Sequence, residues 1–151
     1  MTATPTAERV ASRPRLRAAG ILIAAVIVAV AVNAAVAAVA IAAGAPSTYG
    51  PLTLPAYALF TTLGVAAGWA GWVLVHRRAR DPRRTLSLLV PVLTVLSFVP
   101  DVLLLVFRFI PGTTTPAVIA LMLMHLVVVA VAVPSYALAM RATRETSAPT
   151  V

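Results

Sequence analysis

The apolar stretches of this chain hold one acid, one imidazole and one amide: Asp101, His125 and Asn33. A carboxyl group and an imidazole can exchange a proton, and with an amide beside them they could perform acid–base work. The rest of an enzyme is missing from the pattern. No nucleophile-elbow serine, HExxH helix, P-loop or glycine-rich dinucleotide turn occurs. One histidine and one carboxylate also fall short of the three protein ligands usual for catalytic zinc. The expectation is a protein that is not an enzyme, with no cofactor and no metal.

Spacing gives these residues a common level. Counted from the arginine flanking each apolar stretch, Asn33 stands 16 residues from Arg17, Thr61 16 from Arg77, Asp101 17 from Arg84 and His125 16 from Arg141. At ~1.5 Å per helical residue each lies about 24 Å from the arginine-flanked edge, in the outer third of a bilayer. Thr61 can satisfy its hydroxyl on its own helix. An isolated aspartate facing lipid costs about 2.5–3.5 kcal/mol at a helix centre, so Asp101 is expected to face the bundle interior within reach of Asn33 and His125. Two uses stand open. The four residues could form a hydrogen-bonded clasp that fixes helix rotation, or Asp101 and His125 could form a proton-responsive or cation-binding site.

The elements that must position them are transmembrane helices. The chain has 151 residues, 61% hydrophobic and 11% charged, outside the range of soluble domains. Four apolar stretches, about residues 18–43, 56–75, 85–107 and 117–140, each reach the ~20 residues needed to cross a ~30 Å hydrocarbon core. The fold class is therefore all-α: an integral membrane protein with an antiparallel bundle of four transmembrane helices over residues 16–142, between disordered tails at 1–15 and 143–151. Asp81 before Pro82 and Thr115 before Pro116 suit helix starts. The first apolar run, about 26 residues, is too long for the 7–15 of a cleaved signal peptide.

All twelve cationic residues are arginine, and eleven lie on one side of this map. Arg77, Arg78, Arg80, Arg83 and Arg84 fill the middle loop, and Arg108 alone lies opposite. The positive-inside rule then puts both termini in the cytoplasm, in a plasma membrane. Arginines that flank spans, without interleaved aromatics, fit anionic lipid head groups on the cytoplasmic side rather than nucleic acid. With no cysteine in the chain, thiol chemistry is excluded.

Packing signals are local. Gly64, Gly68 and Gly71 give the second helix a small face for close approach, either within the bundle or between two copies of the chain. Pro91, Pro100 and Pro134 each remove a backbone donor within a span and are expected to kink it. Trp69, Trp72 and Tyr136 toward one edge, with Tyr49 and Tyr57 toward the other, read as interfacial anchors.

The sequences "VNAA" in the first span, "HRRARDPRR" in the middle loop, "VPD" in the third and "LMHLVVVAVAVP" in the fourth resemble a family of small four-span membrane proteins of high-GC Gram-positive bacteria, catalogued as a domain of unknown function. The resemblance covers about residues 15–142 and implies the four-helix architecture and the membrane location; it brings no reaction. The functional expectation is a membrane protein acting by packing or by interaction with a partner, either a second copy or another membrane protein. The alternative is a small transporter or proton-linked sensor working through Asp101 and His125.

Overall fold

A computed structural model describes residues 6–144 of the chain. Five α-helices follow one another: α1 (Thr6–Ala42), α2 (Leu54–Arg78), α3 (Pro82–Ser97), α4 (Val99–Phe107) and α5 (Thr115–Arg144), with a short 3-10 turn at Gly50–Leu52. No strand occurs among the described residues. Four helical segments are long and apolar enough to cross a membrane, the third being α3 and α4 in succession.

Boundaries differ from the sequence expectation where charge had been taken for loop. α1 starts at Thr6, inside the segment 1–15 expected as a tail, because Thr6–Arg13 is rich in good helix formers and continues a helix already nucleated by the span. Residues 1–5 and 145–151 of the two expected tails lie outside the described residues. Arg77 and Arg78 form the last turn of α2, where the negative end of the helix favours cations, so the connection to α3 shrinks to Ala79–Asp81. Asp81 caps α3, its side chain accepting from the Arg84 N–H at 3.1 Å. At α5 the capping oxygen is that of Thr114, 3.4 Å from the Ala117 N–H, one residue before the expected Thr115.

The tightest pairing is between α1 and α5, with α2 set against both and α3 and α4 against α5. Small side chains explain it. α1 buries Ala25, Ala29, Asn33, Ala37 and Ala40, and α5 buries Ala117, Ala120, Met124, Ala132, Tyr136 and Ala139. Both stripes advance mostly in steps of three and four, one face of a helix, and alanine lets the backbones approach closely where lipid supplies no hydrophobic drive. Large apolar side chains such as Ile23, Leu63 and Leu88 point outward, as expected where the surrounding solvent is hydrocarbon. α3 buries no residue at all.

Glycine packing on α2 is internal and uneven. A methyl group at Gly68 would collide with the Tyr136 hydroxyl and lie 3.1 Å from its Cζ. At Gly64 a methyl group would meet Val128 Cγ1 at 3.9 Å, an ordinary contact, and at Gly71 it would meet nothing within 4 Å. Gly71 is exposed and does not extend the packing face as expected, although Trp72 beside it packs on Tyr136. Tyr136 is buried between Trp69 and Trp72, with ring centroids 5.9 and 5.7 Å away, and its hydroxyl donates to the Val65 carbonyl at 2.7 Å.

Tyr136 is thus not an interfacial anchor. Its length carries the ring into the gap left by Gly68. Tyr49 and Tyr57 are also buried, and the Tyr49 hydroxyl lies 3.3 Å from Thr113 Oγ1. Replacing Gly68 with alanine should lower the melting temperature of the purified protein by the equivalent of about 1–3 kcal/mol, the usual cost of overpacking. Adding Tyr136→Phe should recover part of that loss and Gly71→Ala should change little; equal melting temperatures for the Gly68 and Gly71 variants would refute this packing.

Candidate functional site

Pro100 determines where the third span breaks. It has no N–H to give, and it occupies the second position of α4, where none is needed. α3 ends at Ser97, Phe98 turns back with its N–H on the Val95 carbonyl at 3.1 Å, and α4 restarts at Val99. Pro91 and Pro134 lie inside helices that continue through them, so Pro100 alone of the three coincides with an interruption. A second helix thus starts within the membrane, with Phe98 alone between it and the end of α3. Asp101 is in its first turn.

The Asp101 side chain is buried to 5% exposure and its Oδ2 lies 3.3 Å from His125 Nδ1 on α5. The same Nδ1 is 2.9 Å from the Leu121 carbonyl, one turn back on its own helix. Both neighbours are acceptors when the acid is ionised, so Nδ1 carries the proton. The ring is directed by Leu121, and Asp101 Oδ2 stays without an aligned hydrogen bond among the described residues. The two side chains are thus close without a linear hydrogen bond between them. The Phe98 ring meets His125 edge-on at 6.3 Å, which ties the break to the same spot.

Asn33 and Thr61 form a second pair. Asn33 Nδ2 donates to Thr61 Oγ1 at 3.0 Å, linking α1 to α2, and both residues are buried. Thr61 therefore does not turn its hydroxyl onto its own backbone as expected; its neighbour Thr62 does, on the Ala58 carbonyl. Asn33 Oδ1 has no partner among the described residues. The expected single cluster is two pairs with no hydrogen bond between them among the described residues. Both pairs lie between an apolar cluster on the α4–α5 loop side that includes Ala37, Tyr57, Ala120 and Met124 and one nearer the α2–α3 turn built on Val65, Ala132 and Tyr136.

The remaining polar groups are occupied locally. Thr94, Ser97 and Ser135 return their hydroxyls to carbonyls of their own helices. Arg108 ends α4 in the left-handed region at φ 47° and is exposed. It makes no ion pair with Asp101. Among the described residues no three His, Asp or Glu side chains converge on a point that could hold a metal ion. Chemically, the arrangement can hold or pass one proton between a buried acid and a half-exposed imidazole.

Phe98 and Tyr136 were not singled out for these roles from the sequence. An aromatic residue two positions before an intramembrane proline, and an unmatched glycine on a neighbouring span, were the signals available.

An all-α bundle of four membrane-crossing segments with paired polar groups between two apolar clusters defines a small multi-pass membrane protein. Residues 11–143 match the family of unknown function DUF6069, and the chain belongs to that family. No curated protein and no solved structure matches it.

Proposed function

We propose that this is a non-enzymatic component of the plasma membrane that acts by joining a partner within the bilayer, at the contact of α4 with α5 where His125 is half exposed. The observation that carries this reading is exposure. The His125 side chain is 42% exposed although its neighbour Asp101 is buried. It sits ten residues into α5, roughly 15 Å below the outer start of that helix. With Nδ1 engaged, the other ring nitrogen has no hydrogen-bond partner among the described residues. A bare polar nitrogen against hydrocarbon is costly, and a donor from another membrane segment would relieve it. A second copy of the chain and a different membrane protein are both able to supply one.

A proton-linked sensor is the second reading, favoured by the position of Asp101 at a helix start within the membrane, beside a titratable ring. One experiment addresses both. Photo-crosslinkers at Leu103 and Leu126, exposed on α4 and α5, should give protein adducts in native membranes that His125→Leu abolishes, while one at Ile23 on α1 should give none. Adducts that change with external pH support the sensor. Adducts at none of these positions, or equally at all, would remove the partner reading, and pH-independent adducts would remove the sensor.

For orientation, we place both termini and the α2–α3 turn in the cytoplasm, because eleven of the twelve arginines lie at those ends. The chain lacks cysteine, so single cysteines can be introduced without background. One at Arg80 should react only with membrane-permeant reagent in intact cells and one at Thr114 with impermeant reagent; the reverse pattern would invert the map.

A further inference from the structure

α4 is held to the rest of the chain at three points. Only Asp101 and Leu104 of its nine residues are buried, and neither belongs to the two apolar clusters that join α1, α2 and α5. Its helix neighbours are α5 and, across the break, α3. At the break the helical ladder is interrupted, because Pro100 has no N–H to offer the Leu96 carbonyl. Hinges form at such positions, where a few residues at the end of an element absorb the change in backbone angle.

The opposite end is fastened to another connection. Arg108 turns the chain through the left-handed region at φ 47°, and the loop that follows packs on the α1–α2 connection. Gly112, at φ 82°, lies against Pro46 and Tyr49. Thr113 Oγ1 donates to the Ile110 carbonyl at 2.7 Å, so the Tyr49 hydroxyl, 3.3 Å away, is the donor between the two loops.

Between these ends one polar contact ties α4 to α5, because Asp101 is the only residue of α4 with a polar side chain. Leu104 adds little to the preference: a leucine that leaves a bundle for lipid tails exchanges one apolar surrounding for another. The acid is what cannot leave cheaply, least of all when ionised. No further charge crowds the pair. α3 has no titratable side chain over residues 85–97, α1 none over 18–42, α2 only Tyr57 before His76, α5 only Tyr136 beyond His125 within the span, and Arg108 past the end of α4 is exposed.

We propose that α4 is a movable half-helix that pivots at Phe98, with the Asp101–His125 contact as its latch and the Tyr49–Thr113 contact as the fixed point beyond its far end. Closed, the latch keeps the carboxyl buried; open, it uncovers the carboxyl beside α5. The device rests on the geometry of the third span and operates in a chain without a partner.

Double electron–electron resonance on the full-length protein in phosphatidylcholine bilayers tests this, with nitroxides on cysteines at Val106 of α4 and Val39 of α1, both exposed. Labelled chain is diluted with unlabelled chain, so that distances within one molecule are read. Wild type should give one main distance. Asp101→Leu should add a second, longer population, His125→Ala a smaller one because an unpaired acid still avoids lipid, and Leu104→Ala none. Adding Pro100→Ala to Asp101→Leu restores the backbone donor and should shrink the longer population. A control pair at Val39 and Leu59 of α2 should keep its distance throughout; where Asp101→Leu disturbs it, Asp101→Asn carries the comparison. A single unchanged distance in the Asp101 variant with the control intact, or an equal longer population in Leu104→Ala, would overturn the latch, and persistence after Pro100→Ala would overturn the pivot. Loss of the crosslinked adducts described above, together with an opening α4, would remove the partner reading and keep this one.

Discussion

The third span and its contact with α5 are organised by one carboxyl group that has to be kept away from lipid. An ionised aspartate in hydrocarbon is among the most expensive residues a span can contain. The chain meets that cost with three features at one place: the interruption caused by Pro100, the helix start that follows it, and the imidazole of His125 at 3.3 Å. Each restrains an element. The break sets the direction of α4, the contact fixes the rotation of α5, and burial of Asp101 orients the apolar side chains of α4 toward lipid. Replacing such a pair by apolar residues is often neutral or stabilising in other proteins, so its presence here argues for specificity or function rather than for stability alone.

The packing of α1, α2 and α5 follows a different logic. These helices are held by shape: alanine stripes between α1 and α5 along both apolar clusters, and Tyr136 in the gap at Gly68. The Tyr136 hydroxyl ends on the Val65 carbonyl, so a polar atom introduced by the aromatic ring is satisfied without a second side chain. Asn33 and Thr61 sit at the junction of the two regimes and join α1 to α2. α3, the first part of the third span, buries no residue and makes no side-chain hydrogen bond to another helix among the described residues.

Much of this was legible in the sequence, for reasons that can be named. Span number followed from length and hydropathy, and the common level of Asn33, Thr61, Asp101 and His125 followed from rise per residue. How they divide into pairs did not, because a count along the axis says nothing of rotation about it, and rotation decides whether Asp101 meets His125 or Asn33. Pro91, Pro100 and Pro134 look alike in sequence; only Pro100 falls where a helix can restart with an acid in its first turn. Tyr136 looked like an interfacial anchor because its burial depends on a missing side chain at Gly68, on a different span. The extension of α1 back to Thr6 was hidden by charge, which marks the membrane edge but does not end a helix.

The central claim is that Asp101 and His125 act as one unit to hold the broken third span against α5. Thermal unfolding of the purified protein across pH, for wild type, Asp101→Asn, His125→Ala and the double variant, tests it most directly. Coupling predicts that the double variant loses much less stability than the two single losses added together, by ~1 kcal/mol or more. Effects that add to within ~0.5 kcal/mol at every pH would contradict the claim and leave the two residues as neighbours without a shared role.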